Sequence, residues 1–133
     1  MIPLRDNNPT QRVPLCNYAL IVSCILVFFW QSSLDPRASQ AAIFSFGLIP
    51  DVLLGDAHLP PELNVVPAVA TVFTSMFLHG GWLHLAGNML YLWIFGDNVE
   101  DSMGHGRFLV FYLLCGVAAA MAQALPEPSS QVP

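Results

Sequence analysis

The residues best suited to chemistry sit in one of the most apolar stretches of the chain, FLHGGWLHLAGNML, residues 77 to 90. It holds two imidazoles, His79 and His84, and one carboxamide, Asn88. An imidazole can bind a metal, move a proton or donate a hydrogen bond, and a carboxamide can donate two. On a helix, residues four apart lie about 40° apart around the axis, so His84 and Asn88 share a face. His79 lies five residues before His84, about 140° around the same axis, and cannot share that face on a continuous helix. The pair Gly80 and Gly81 favours a turn or a helix start between them. Three chemistries fit such a group: hydrogen bonds that hold helices together, ligands for a metal or haem, and donors aimed at a developing oxyanion. HxxxxH is not the i, i+4 spacing that sets two ligands on one helix face, which weakens the metal reading.

The elements that must position these groups belong to a membrane protein. Of 133 residues, 55% are hydrophobic and only 10% charged, and the mean hydropathy is +0.58. A soluble domain carries charge on about a quarter of its residues. Nine carboxylates face four arginines, with no lysine and no basic run, so nucleic acid is excluded as a partner. Cys16, Cys24 and Cys115 all fall in apolar segments and read as small buried residues, not as a disulfide framework.

Residues 1 to 14 are polar and carry Arg5 and Arg12. The first apolar helix is expected over 15–31; it ends in bulky FFWQ, unlike a cleaved signal peptide, and so reads as a retained crossing. A long first loop follows over 32–81, where Pro36, Pro50, Pro60, Pro61 and Pro67 prevent any long helix and leave short interfacial pieces. A second helix is expected over 82–103, with Asp97, Glu100 and Asp101 in its last turns at the aqueous face. A third is expected over 107–125, then a polar tail over 126–133. Arg5, Arg12 and Arg107 fall on one side of three crossings, which the positive-inside rule assigns to the cytoplasm. His79 then sits at the membrane surface, just before a helix beginning near Trp82, while His58 and His105 fall in solvated loops with no role assigned.

The runs FLHGGWLHLAGNMLYLWIFGDNVED and GHGRFLVFYLLCG resemble the rhomboid family of intramembrane serine proteases. The likeness extends over nearly the whole chain, from IPLRDNNP through FGLIP and TSMFLHGGWLHLAGNM to the third helix. It implies an all-α polytopic membrane protein, residues 15–133 being a partial rhomboid domain: the first three transmembrane helices of a six-helix, or six-plus-one, core with a long first loop. It implies cleavage of transmembrane segments by a Ser/His dyad, without metal or other cofactor. The serine belongs to a GxSG motif opening the fourth helix and the base to the sixth. The resemblance assigns His84 and Asn88 to oxyanion stabilisation, His79 to support from the loop side, and Glu100 to holding loops and helix ends.

Two departures stand out. The stretch VATVFTSM lacks the Trp-Arg pair common in the family's first loop, and no GxSG occurs, since Ser129 and Ser130 lie in PEPSSQVP. The expectation is therefore a chain that stops before the serine motif, contains neither nucleophile nor general base, and is inactive and aggregation-prone by itself. The full-length protein is expected in a bacterial inner membrane, N-terminus in the cytoplasm, with the lipid bilayer and transmembrane protein substrates as partners. The rival functions are a rhomboid-like pseudoprotease that binds transmembrane clients without cutting them, and a membrane subunit binding haem through His79 and His84.

Overall fold

The computed structural model describes residues 12–133; the greater part of the expected N-terminal segment 1–14, including Arg5, lies outside the described residues. Helix α1 (Leu15–Ser33) has no glycine or proline in its interior, and its 19 residues rise about 28 Å. Its buried positions are Asn17, Leu20, Cys24, Phe28 and Gln31, spaced by three and four, so one stripe faces the protein. The outward faces carry exposed Val22, Leu26 and Phe29.

The proline-rich stretch that follows is folded into short helices, α2 (Pro36–Phe46), α3 (Pro50–Leu54) and α4 (Ala68–Thr74), the last running into a 3₁₀ turn, Ser75–Phe77. The prolines set where these helices begin. Pro36 and Pro50 each occupy the first helical position, where the missing N–H has no partner to lose, and Pro67 precedes α4. Asp35 caps α2 by accepting hydrogen bonds from the backbone N–H groups of Arg37 and Ala38 at 3.0 and 3.2 Å. The Thr74 hydroxyl donates to the Phe46 carbonyl at 2.6 Å and ties α4 to the end of α2.

Residues Trp82 to Met103 form one continuous helical rod with a fault in it. Helix α5 (Trp82–Tyr91) passes into a π-helical turn, Leu92–Gly96, and resumes as α6 (Asp97–Met103). Gly104, at φ 81, takes the left-handed conformation that breaks the rod and opens α7 (His105–Ala124). No strand occurs among the described residues.

The start of α1 lies beside α6, while its far end meets the start of α5, so the rod runs antiparallel to α1. Phe28 packs edge-to-face on Trp82 at 4.8 Å, and Cys24, Phe28 and Leu85 form a core with Phe77 and Met89 against it. Near the other end of the rod, Tyr18 stacks on Trp93 at 6.1 Å. The far end of α7 is buried under the first loop, where Leu48, Val72 and Ala124 cluster with Leu53, Val117 and Met121. The tail turns back onto α3, with the Asp51 N–H donating to the Ser130 carbonyl at 3.0 Å. Helices α1 and α7 are long and apolar enough to cross a membrane, yet only 28% and 11% of their most apolar windows are buried. Their outer surfaces are therefore suited to lipid.

Candidate active site

Helix α5 begins at Trp82 with Gly81 as its N-cap, so His79 lies outside the helix, and this decides where the histidines meet. Released from helical geometry, His79 turns its ring edge-to-face against His84, with centroids 5.2 Å apart. Within the protein His79 is buried, 3% exposed. Two hydrogen bonds hold it inside. Its Nδ1 donates to the Phe77 carbonyl at 3.1 Å, and its own carbonyl accepts from the Gln31 Nε2 at 3.3 Å. A carbonyl only accepts, so Nδ1 carries the proton and Nε2 remains an acceptor. Burial lowers the His79 pKa below 6.5; the Phe77 hydrogen bond opposes this and the neighbouring His84 adds to it.

His84 and Asn88 lie one turn apart on α5, and both are exposed. With Gln31, His79, Met89 and Tyr112 they line a cavity of about 800 Å³ bounded by α1, the rod, α7 and the first loop. Neither His84 nor Asn88 has a side-chain hydrogen-bond partner among the described residues. The Gln31 Oε1, buried in the same wall, also has none. Ser75 lines the cavity too, but its hydroxyl donates to the Val72 carbonyl at 3.2 Å, within its own helix turn. The arrangement sets two side-chain donors and a buried imidazole on the wall of one cavity.

Glu100 sits at the opposite end of the rod and is 1% exposed. Its Oε1 accepts from the Cys16 N–H at 2.9 Å and its Oε2 from the Asn17 N–H at 2.7 Å. These are the second and third residues of α1, whose N-terminus has no side-chain cap of its own. A carboxylate from α6 thus caps α1 across the structure, where negative charge is favoured. His105 Nδ1 also contacts Glu100 Oε1.

Three polar residues to which the sequence patterns assign no role make long-range contacts: Asn17, Gln31 and His105. Asn17 donates through Nδ2 to the Leu92 carbonyl at 2.9 Å, satisfying a carbonyl at the π-helical turn. The turn must present Gly96 there, because a Cβ at that position would stand 2.2 Å from the Asn17 Oδ1. The signal for Asn17 and Gln31 was present in their spacing: both continue the stripe of Leu20, Cys24 and Phe28. His105 carried no such signal, since it meets Glu100 only because Gly104 turns the chain.

Comparison with known proteins adds an independent line. The Rhomboid domain pattern matches residues 67–132. The chain is similar to the Rhomboid protease GluP of Bacillus subtilis (strain 168), 30% identical over 119 residues, covering 88% of this chain and 22% of that protein. It is similar to the Rhomboid protease AarA of Providencia stuartii, 31% identical over 109 residues, covering 79% and 34%. It is also similar to Rhomboid-like protein 11, chloroplastic, of Arabidopsis thaliana, 36% identical over 66 residues, covering 50% and 24%. The chain therefore spans between 22% and 34% of the length of these relatives. No solved structure matches it significantly. An all-helical chain with two membrane-length apolar helices, a matched domain pattern and relatives of this kind belongs to the rhomboid family of integral membrane proteins.

Proposed function

We propose that the protein carrying this chain is an intramembrane serine endopeptidase that cuts transmembrane segments of membrane proteins, with His84 and Asn88 holding the oxyanion. The observation that carries the reading is the pair of same-face donors on α5, both on the wall of the cavity shared with His79. Oxyanion donors must be fixed in place before the charge develops.

Residues 1–133 contain no GxSG, so in this reading the serine and its general base come from sequence outside them. The substrate helix unwinds into the cavity and the serine attacks its carbonyl carbon while the base takes the serine proton. Charge develops on the carbonyl oxygen, and a ring N–H of His84 and the Nδ2 of Asn88 donate to it. Each well-placed donor contributes roughly 3 to 4 kcal/mol at the transition state. His79 stays neutral, and its ring limits the rotamers open to His84. Glu100 supports the site from a distance by fixing α1 to the rod. With the N-terminus and the turn at Gly104 in the cytoplasm of an inner membrane, the cavity lies toward the opposite face.

The test is proteolysis of a transmembrane substrate by the full-length protein in proteoliposomes. His84→Ala and Asn88→Ala should each lower kcat by about 10²- to 10³-fold, with little change in KM and an unchanged unfolding midpoint. Unchanged kcat in both variants would remove the oxyanion role. Residues 1–133 alone should show no cleavage and no labelling by a fluorophosphonate probe.

A further inference from the structure

At the end of the bundle away from the cavity, three side chains that do not line it converge. Cys16 stands on the first turn of α1, Glu100 on α6 and His105 at the start of α7. Their thiol sulfur, carboxylate oxygen and imidazole nitrogen all lie within 4.8 Å of one another. Glu100 is almost fully buried, and the single cationic group it meets among the described residues is His105, which is charged only when protonated.

We propose that Cys16, Glu100 and His105 bind a divalent ion of the zinc type. Thiolate, imidazole and carboxylate together form a donor set that suits Zn²⁺ and does not suit Mg²⁺ or Ca²⁺, which take oxygen ligands. The charge balances: the thiol gives up its proton, and thiolate plus carboxylate neutralise the ion. A neutral site is well placed beside the N-terminus of α1, where a bare cation would be repelled. Glu100 can serve the ion and the helix together, because each carboxylate oxygen has two lone-pair directions and uses one for Cys16 N–H or Asn17 N–H. The His105 side chain, 43% exposed, gives access from solvent and leaves a fourth position for water. On binding, the ion replaces the direct contact between His105 and Glu100, and the ring moves outward by a rotamer change until the two ligand atoms stand roughly 3.3 Å apart, the separation set by tetrahedral bonds of about 2.0 Å.

The experiment uses full-length protein in detergent, stripped with EDTA and titrated with Co²⁺. One Co²⁺ per chain should bind with a thiolate-to-cobalt charge-transfer band, displaced by Zn²⁺ and not by excess Mg²⁺. Cys16→Ser should abolish the band, and His105→Ala should weaken binding at least tenfold. Because Cys16→Ser can also disturb the start of α1, maleimide modification of the wild type gives a second measurement: Zn²⁺ should protect Cys16 and EDTA should restore its reactivity. No band together with no protection at saturating Zn²⁺ overturns the site, as does a band that survives Cys16→Ser. Neither result depends on proteolysis, so the site stands or falls separately from the proposed enzyme.

Discussion

One buried carboxylate, Glu100, holds the start of α1, and Glu100→Ala removes it. The substitution removes acceptors at 2.9 and 2.7 Å from the N–H groups of Cys16 and Asn17, leaving Asn17, which is 0% exposed, with a stranded backbone donor. Hydrogen bonds to a charged acceptor contribute about 1.5 to 3 kcal/mol each, and a charge at a helix N-terminus adds up to about 2 kcal/mol in buried geometry. The two effects overlap, so the expected loss is about 3 to 5 kcal/mol, the range found when one partner of a buried charged contact is deleted. Glu100→Gln keeps the shape and one acceptor but sets an NH₂ against a backbone donor, and should cost about 2 to 3 kcal/mol. Asp35 offers a matched control, because it caps α2 with the same carboxylate chemistry at an exposed position. Asp35→Ala should cost about 1 kcal/mol. The assay is reversible unfolding of the full-length protein in mixed micelles by titration with sodium dodecyl sulfate, followed by tryptophan fluorescence, with EDTA present to remove any bound ion. If Glu100→Ala cost no more than Asp35→Ala, the cross-helix cap would have no special energetic role.

Other consequences follow from the same geometry. Gly96→Ala drives a methyl group to 2.2 Å from the Asn17 Oδ1 and should cost more than about 2 kcal/mol, whereas Gly106→Ala, whose added Cβ meets nothing, should stay within about 1 kcal/mol. The double variant Gly96→Ala with Asn17→Ala should lose less than the sum of its parts, because the clash then has no partner; strict additivity would refute it. His79 is neutral when folded and binds protons more readily when unfolded, since burial holds its pKa below 6.5. Its contribution is complete above 6.5 and is lost as pH falls below that value toward the folded pKa. Unfolding midpoints compared between pH 7.5 and pH 5.5 should therefore fall less steeply in His79→Gln than in the wild type, and equal slopes would contradict a buried neutral imidazole.

Much of the architecture is legible in sequence because it follows from local rules. The apolar runs gave the three long elements, and α1, expected over 15–31, occupies Leu15–Ser33. The prolines of the first loop limited helix length, but their positive use as first residues of α2 and α3 depends on Asp35 and Ile49 adopting extended backbone before them. What sequence could not give was contact between distant residues. The π-helical turn at Leu92–Gly96 is unintelligible within its own segment; the Leu92 carbonyl and Gly96 both answer to Asn17, far earlier in the chain. The burial of His79 likewise depends on Gln31, 48 residues away.

These contacts sort the polar side chains of an apolar chain into two groups by what they touch. Asn17, Glu100 and the backbone of His79 find protein partners and fix the relation of α1 to the rod at both its ends. His84 and Asn88 find none among the described residues, although they sit on the same rod between those two anchors. In the proposed mechanism, donors held on a rod clamped at both ends and facing a cavity are preorganised to stabilise a transient negative charge. The rigid contacts of α1 are thus a condition for the chemistry proposed on α5, and weakening Asn17 or Glu100 should lower kcat even though neither lines the cavity.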